Sequence, residues 1–244
     1  NSETARLTES QYKMIMRCVE TLYVLPDIDE TGIRSAIRLG LQYLDIRFIW
    51  LPESLREYKD NRGKPRKDLR DYVELYPDRK DFQKLMNVAM PLRFWDEVTK
   101  EDGKRYYFND EHALFFLNAN GFGRIEYKNT KGKSIFVRVE DNVVREVEPE
   151  EIKDFMLEFM EKRYLPIPLR NVVRKPNQLS EATLKGLKKL KLDFTDYDAE
   201  SQFLFFRNKT IKVTGEEIRE FRPGDTSQCV WEEKVIPHNF RLLP

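Results

Sequence analysis

The sequence predicts an α/β N-terminal part built on a parallel βαβ unit, followed by an α+β domain with short antiparallel strands. Two apolar runs, 21–25 and 46–51, flank a segment with helical spacing from Gly32 to Leu44. Strand, helix, strand in about 30 residues implies parallel, buried strands. After residue 103, short strand-like runs alternate with turn signals. We place a domain boundary after residue 90, which gives an α/β part over 1–90 and an α+β domain over 91–244.

Local signals place the helices. Thr8 and Gln11 have the spacing of a capping box ahead of a short helical pattern. Pro149 precedes an amphipathic pattern over 150–164, at a position where a missing N–H costs little. The remaining predicted helices are 32–44, 67–76, one within 78–104, 111–118 and the lysine-rich segment 180–190.

The later strands are marked by turns. The segment 203–215 reads as a hairpin with Asn208-Lys209 at its turn, and we leave the proline-containing stretch 166–176 without a helix. The other predicted strands are 105–110, 122–127, 134–140 and 142–148.

Composition excludes several classes of protein. The 43 basic and 42 acidic side chains nearly cancel, so any electrostatic signal must be local. The two cysteines, Cys18 and Cys229, lie far apart, which argues against a disulfide scaffold or a zinc site and predicts the reducing cytoplasm. No apolar run approaches the length of a membrane span, and the polar start predicts no signal peptide.

An acidic loop, DIDETG, follows the first apolar run. Asp27, Asp29 and Gly32 fit the first, third and sixth positions of an EF-hand loop, but Arg38 stands at the twelfth, so we exclude calcium of that type. The string also fits the DxDxT loop of haloacid-dehalogenase-type phosphatases, in which the first Asp is a nucleophile. A solvated loop that caps a helix is the third interpretation.

The segment 21–75 resembles the TOPRIM site of bacterial-type primases and topoisomerases. In that family a strand ends in DxD, a helix follows, and primase versions add a K-D-x-x-D element, which Lys67-Asp68-Leu69-Arg70-Asp71 supplies here. The resemblance implies that Asp27 and Asp29 are catalytic and bind Mg²⁺, with Mn²⁺ as the alternative ion and Glu30 as a further metal candidate. Such ions neutralise triphosphate charge and orient attack by a 3′-oxygen.

The family also has a general acid–base glutamate on an earlier strand. No glutamate upstream of Asp27 follows a recognisable strand, so we expect that residue to lie outside this chain. The chain alone is therefore expected not to polymerise nucleotides.

Two basic segments suit a phosphate backbone. The first, 56–70, flanks the acidic loop and includes Arg62, Lys64, Arg66 and Lys67, which we predict to contact template or nucleotide. The second, 170–191, includes Lys185, Lys188 and Lys189. For the second segment an ordinary amphipathic helix, with leucines inward and lysines solvated, is the competing interpretation.

The segment 203–240 resembles the region that precedes the ATPase domain in primase–helicases of the superfamily-three type. The matching features are Asn208, Thr214-Gly215-Glu216, Pro223-Gly224-Asp225 and Ile236-Pro237 with Phe240. No phosphate-binding loop of the Walker type is present, since Tyr127 stands where the string before Gly132-Lys133-Ser134 needs its first glycine.

Together these patterns predict an internal fragment of a phage- or mobile-element primase–helicase. The implied partners are single-stranded DNA template, nucleotides and a downstream helicase domain of the same parent chain, through which the protein would form homo-oligomers. No membrane partner is expected. The alternatives are a non-catalytic DNA-binding or oligomerisation module and a DxDxT-type phosphatase.

Overall fold

The computed structural model describes residues 7–126 and 134–241. The chain divides into two compact units, one of Asn1–Val98 with Glu111–Phe116 and one of Thr99–Asp110 with Leu117–Pro244. The domain boundary after residue 90 stays a prediction, because compactness alone does not show where a chain folds independently.

The first unit carries a small mixed sheet with the order β1-β2-β3. β1 and β2 pair in parallel, with Val24 opposite Phe48, whereas β2 and β3 pair antiparallel. Its elements are α1 (Glu9–Met16), β1 (Tyr23–Val24), α2 (Glu30–Gln42), β2 (Arg47–Phe48), a 3-10 helix (Glu53–Glu57), α3 (Leu69–Leu75), α4 (Arg79–Asn87) and β3 (Met90–Pro91).

Helix α2 packs closely on this sheet at Gly40. A Cβ at that position would lie 2.5 Å from Cε2 of Phe48 and 2.9 Å from Cδ1 of Leu92, so only glycine allows the approach. An apolar cluster holds the loop that follows β1 against the rest of the first unit. It is formed by the buried side chains Ile28, Leu51, Leu55 and Tyr72.

Three elements lie where the sequence passes between the units. β4 (Trp95–Lys100) and β5 (Gly103–Phe108) form a two-stranded sheet, and α5 (Asp110–Ala119) follows.

The second unit has two further sheets, with the orders β12-β8-β7-β6 and β11-β10-β9. All their pairings are antiparallel except the short parallel pair of β12 with β8. The elements are β6 (Phe122–Glu126), β7 (Ser134–Glu140), β8 (Val143–Glu146), α6 (Pro149–Lys162), α7 (Ile167–Arg174), α8 (Glu181–Leu184), β9 (Ser201–Phe205), β10 (Thr210–Thr214), β11 (Ile218–Phe221), β12 (Val230–Trp231) and a 3-10 helix (Glu232–Lys234).

The broad fold prediction is confirmed as a mixed α/β chain with several small sheets, most of them antiparallel. The parallel βαβ pairing is present, but a parallel core of the TOPRIM type is not confirmed, because β3 joins the first sheet antiparallel. The capping box of Thr8 and Gln11 is confirmed, as is the amphipathic helix after Glu148, which buries Ile152 and Met156.

Two helix predictions in the second unit are wrong. The lysine-rich helix 180–190 ends at Leu184, since the chain then turns and Leu190 N–H donates to the carbonyl of Arg124 on β6. The stretch 166–176, predicted without a helix, contains α7. Pro168 lies in the first turn of α7, where its missing N–H breaks no helical hydrogen bond. Gly132 and Lys133 of the Gly132-Lys133-Ser134 string lie outside the described residues.

Candidate functional site

The acidic loop follows β1 and bends at Ile28 and Asp29. Ile28 is only 5% exposed and packs with Leu51, Leu55 and Tyr72. Asp27 and Asp29 flank this buried side chain, and both are partly exposed to solvent. The Asp27 side chain is 46% exposed and that of Asp29 is 35% exposed. Two like charges therefore lie side by side here without burial.

Asp29 is also the N-cap of α2. Its Oδ1 accepts a hydrogen bond of 2.8 Å from the N–H of Gly32, and its backbone is extended with φ −82° and ψ 163°. The predicted start of the helix at Gly32 is therefore two residues late. A carboxylate at this position satisfies an N–H that the helix cannot pair internally. The second oxygen of Asp29 remains available for another partner.

Lys67 is that partner. Its ammonium nitrogen lies 2.5 Å from Oδ2 of Asp29 and 3.5 Å from Oδ2 of Asp27, and its side chain is 48% exposed. Both carboxylates thus face one cationic group. The DxD loop and the first residue of the K-D-x-x-D element therefore lie side by side in the structure.

Both backbone polar groups of Lys67 form hydrogen bonds. Its N–H donates to Oδ2 of Asp71 at 2.7 Å, and its carbonyl accepts the N–H of Ile28 at 3.0 Å. Asp71 also forms a capping box with Asp68 at the start of α3. The two aspartates of the K-D-x-x-D element thus order the start of α3 and the backbone of Lys67.

The electrostatics follow from these contacts. The hydrogen bond from Lys67, and then that from Gly32 N–H, holds the pKa of Asp29 below its ordinary value. The hydrogen bond to Asp29 raises the pKa of Lys67 in turn. Arg56 adds a smaller electrostatic effect that lowers the pKa of Asp29. Arg56 belongs to the basic segment, but nothing in its spacing singled it out.

Gly32 lets α2 begin close to Asp27. A Cβ on Gly32 would lie 2.5 Å from the carbonyl oxygen of Asp27 and 3.2 Å from its Cβ. Such an approach is shorter than real Cβ atoms make, so a side chain here would push Asp27 away. The glycine of the acidic loop is thus required by the packing of the loop itself.

Glu30 has a different position from that of the other two acids. Its carboxylate pairs with Arg34 at 2.5 Å, one helical turn along α2, and its side chain is 72% exposed. The structure therefore brings together Asp27, Asp29 and Lys67, while Glu30 contacts Arg34.

The donor set can be tested against a divalent ion. Among residues 7–126 and 134–241, no group of three or more His, Cys, Asp or Glu side chains is arranged to hold a metal. Mg²⁺ often uses only one or two carboxylates and keeps several waters. Asp27 and Asp29 supply the two partly exposed carboxylates that such an ion uses, and in this structure the ammonium group of Lys67 lies against both of them.

The basic loop 58–66 forms a small closed turn beside α3. Oδ1 of Asp60 accepts the backbone N–H groups of Arg62 and Lys64, both at 2.8 Å, and Gly63 has a φ of +76°. The side chains of Arg62 and Lys64 are exposed. The turn therefore holds two cationic side chains in solvent.

Arg66 is placed differently from Arg62 and Lys64. Its side chain is 12% exposed, lies 2.7 Å from Glu74 and donates to the carbonyl of Lys59. These contacts tie the basic loop to α3. They give Arg66 a structural role and leave little of it accessible to phosphate.

The second group of predicted phosphate-binding lysines lies in the second unit. Lys185 pairs with Glu181 at 3.1 Å, and Lys189 forms an ion pair with Glu126. The backbone N–H of Lys188 donates to Oδ1 of Asn118 at 3.1 Å. Because the helix ends at Leu184, these lysines do not form one helical face.

A cavity of about 400 Å³ in the second unit was not anticipated from the sequence. The guanidinium of Arg138 lies 5.3 Å from the ring centre of Phe122 and 4.8 Å from that of Phe155. The full lining is Phe122, Arg138, Arg145, Glu151, Asp154, Phe155 and Glu158. Its residues come from three strands and one helix, so no local sequence pattern marks it.

No helix in the part of the chain that the structure describes combines the length and apolar character that a bilayer span requires. Comparisons of this chain with protein-family models, with curated proteins and with solved structures give no match.

Proposed function

We propose that this chain is part of a DNA primase–helicase of phage or mobile-element replication, with a divalent-metal site at Asp27 and Asp29. The observation that carries the proposal is the convergence of both carboxylates on Lys67 at the end of β1. Pairs of this kind in a βαβ unit resemble the TOPRIM site. Bound Mg²⁺ or Mn²⁺ would neutralise phosphate charge and orient a reacting 3′-oxygen.

The surrounding cations support a phosphate-bearing ligand. Lys67 is half-exposed beside the carboxylates, while Arg62 and Lys64 are exposed on a turn that Asp60 orders. Single-stranded DNA or a nucleotide would offer phosphates to these groups. A downstream helicase domain, oligomers formed through it, and a cytoplasmic location remain part of the proposal.

The test is a fluorescence-anisotropy titration of a labelled single-stranded oligonucleotide at low and moderate salt, with and without Mg²⁺. We expect binding that weakens with salt and that Arg62→Ala/Lys64→Ala reduces, because fewer cations are then left to neutralise the phosphates. We expect Asp27→Asn/Asp29→Asn to remove the dependence on Mg²⁺. Absence of binding at low salt would contradict the proposal.

A matched control exists on α4. Asp78 is the N-cap of α4, as Asp29 is of α2, and Asp81 pairs with Lys84 at 2.8 Å. The variant Asp78→Asn/Asp81→Asn therefore removes the same number of charges from comparable structural positions. It should leave both oligonucleotide binding and its Mg²⁺ dependence unchanged.

One observation favours a second candidate, a non-catalytic DNA-binding module. Lys67 supplies a counter-charge to both carboxylates from within the protein itself. Oligonucleotide binding that is insensitive to Mg²⁺ in the wild-type protein would favour this candidate. Turnover of a generic phosphoester that Asp27→Asn abolishes would instead favour the DxDxT-type phosphatase.

A further inference from the structure

We propose that Lys67 is an internal counter-ion which the site exchanges for a metal–phosphate complex. A divalent cation and a phosphate group would then bind together, and each would bind poorly alone. This inference rests on the proposed function, because it takes Asp27 and Asp29 to be the metal-binding carboxylates.

The first support is the place of the ammonium group. Lys67 Nζ lies 2.5 Å from Asp29 Oδ2 and 3.5 Å from Asp27 Oδ2, on the side that both carboxylates face. Oδ1 of Asp29 is engaged with Gly32 N–H at 2.8 Å. A divalent ion that uses both carboxylates must therefore displace the ammonium group from Oδ2 of Asp29.

The second support is that the side chain can leave without disturbing the fold. The backbone of Lys67 is fixed by its hydrogen bonds with Asp71 and Ile28, of 2.7 Å and 3.0 Å. The side chain itself is 48% exposed, so rotation into solvent breaks only its ion pairs with Asp27 and Asp29. Lys67 can thus move its charge while its position in the chain is kept.

Charge balance shows why the two ligands should help each other. Two carboxylates and one ammonium group leave a local charge of about −1, which repels a free phosphate. A free divalent ion would leave the displaced ammonium close to a second cation, which is also unfavourable. A metal–phosphate complex removes both conflicts, since the metal takes the carboxylates and the phosphate takes the ammonium.

The test measures Mn²⁺ binding by electron paramagnetic resonance, with and without a saturating short thymidine oligonucleotide and with an oligonucleotide-only blank. In the wild-type protein, we expect the oligonucleotide to raise Mn²⁺ affinity by roughly tenfold, within the usual range for coupled sites. Linkage requires that Mn²⁺ raise oligonucleotide affinity by the same factor, which anisotropy measures independently.

The decisive variant is Lys67→Met, which keeps the aliphatic length and removes the charge. It should bind Mn²⁺ roughly tenfold more tightly than the wild-type protein when no oligonucleotide is present, and the oligonucleotide should then add little. Lys67→Arg keeps the charge and should behave like the wild-type protein. The control is Lys84→Met, which removes an aspartate-paired lysine from α4 and should change neither affinity.

The outcomes separate this inference from the proposed function. Wild-type binding of Mn²⁺ that Lys67→Met leaves unchanged or weakens would overturn the counter-ion role and leave the metal site in place. Absence of Mn²⁺ binding in the wild-type protein and in Lys67→Met, with or without oligonucleotide, would overturn both. The inference is supported if Lys67→Met binds Mn²⁺ more tightly than the wild-type protein does and if the oligonucleotide raises Mn²⁺ affinity in the wild-type protein but not in the variant.

Discussion

The ammonium group of Lys67 lies 2.5 Å from Oδ2 of Asp29, although 38 positions separate the two residues in sequence. This ion pair joins the loop after β1 to the start of α3. The two oxygens of the Asp29 carboxylate have different partners, because Oδ1 caps α2 while Oδ2 faces Lys67. The two functions of Asp29 can therefore be separated by substitution.

Asp29→Ala and Asp29→Asn should differ in stability. Alanine removes the N-cap and should lower the free energy of unfolding by about 1 kcal/mol, whereas asparagine still accepts from Gly32 and should cost much less. The ion pair between Asp29 and Lys67 contributes little to the free energy of unfolding, because both side chains are partly solvent-exposed. Urea denaturation measures the difference, and equal losses in both variants would contradict it.

The control for this prediction is Asp78→Ala. Asp78 accepts a hydrogen bond of 2.8 Å from Lys80 N–H at the start of α4. Its removal should cost about as much stability as Asp29→Ala does. It should leave Mn²⁺ and oligonucleotide binding unchanged, whereas both Asp29 variants should lose the metal dependence.

Gly32→Ala should destabilise the protein and displace Asp27. The added Cβ would lie 2.5 Å from the carbonyl oxygen of Asp27, so the loop must shift, and overpacking of this kind costs about 1–3 kcal/mol. Urea denaturation and Mn²⁺ binding should both register the change. Gly215→Ala is the matched control, because a Cβ there meets no atom within 4 Å. A Gly32→Ala protein as stable as that control would disprove the close approach.

His112 should make stability depend on pH in the mildly acidic range. Burial lowers the pKa of His112 below its ordinary value, although Asp96 and the carbonyl of Arg93 oppose that effect. As the pH falls below about 6.5, the unfolded chain takes up a proton before the folded protein does. The free energy of unfolding should therefore decrease as the pH falls, until folded His112 is itself protonated.

Two measurements check this pH dependence. Nuclear magnetic resonance of the imidazole nitrogens should show His112 titrating below the ordinary histidine range, with His238→Gln used to assign the two histidine signals. His112→Asn should flatten the dependence of unfolding free energy on pH between about 5 and 7. An equally steep dependence in that variant would assign the effect to other groups.

Asn208→Ala should loosen the segment near Phe240. The Asn208 side chain accepts the N–H of Phe240 at 2.8 Å and donates to its carbonyl at 3.2 Å. Removal of these bonds should cost about 1 kcal/mol locally and speed hydrogen exchange around residues 236–241. Asn87→Ala, which removes an exposed hydrogen bond with Gln83, is the control and should leave that exchange unchanged.

Local sequence patterns predicted the structure correctly where it depends on one end or one face of a helix, or on a short turn. The capping box at Thr8, the helix over Pro149–Lys162 and the hairpin turn at Asn208-Lys209 all follow from residues a few positions apart. The parallel pair of β1 and β2 followed from the order of apolar runs. These features need no knowledge of distant contacts.

The segment 185–190 shows where local pattern fails. The spacing of Leu184, Leu187 and Leu190 fits a helix, yet the chain leaves the helix after Leu184 and bonds to β6 through Arg124. An unpaired strand edge offers hydrogen bonds that compete with those of a helix. The leucines still turn inward, and Leu184 and Leu187 are fully buried.

For the candidate site, the sequence predicts two aspartates on either side of the apolar Ile28, and in the structure Ile28 is buried while both aspartates are partly exposed. The sequence also predicts the helix that starts beside them, although two residues late. The identity of the cation that both carboxylates face depends on contacts between residues far apart in the sequence. Lys67 reaches them through backbone hydrogen bonds to Ile28 and Asp71, whereas Arg66, its neighbour, is held against α3. The K-D-x-x-D pattern singled out Lys67 in the sequence, but only packing shows that Lys67 faces the aspartates while Arg66 faces Glu74.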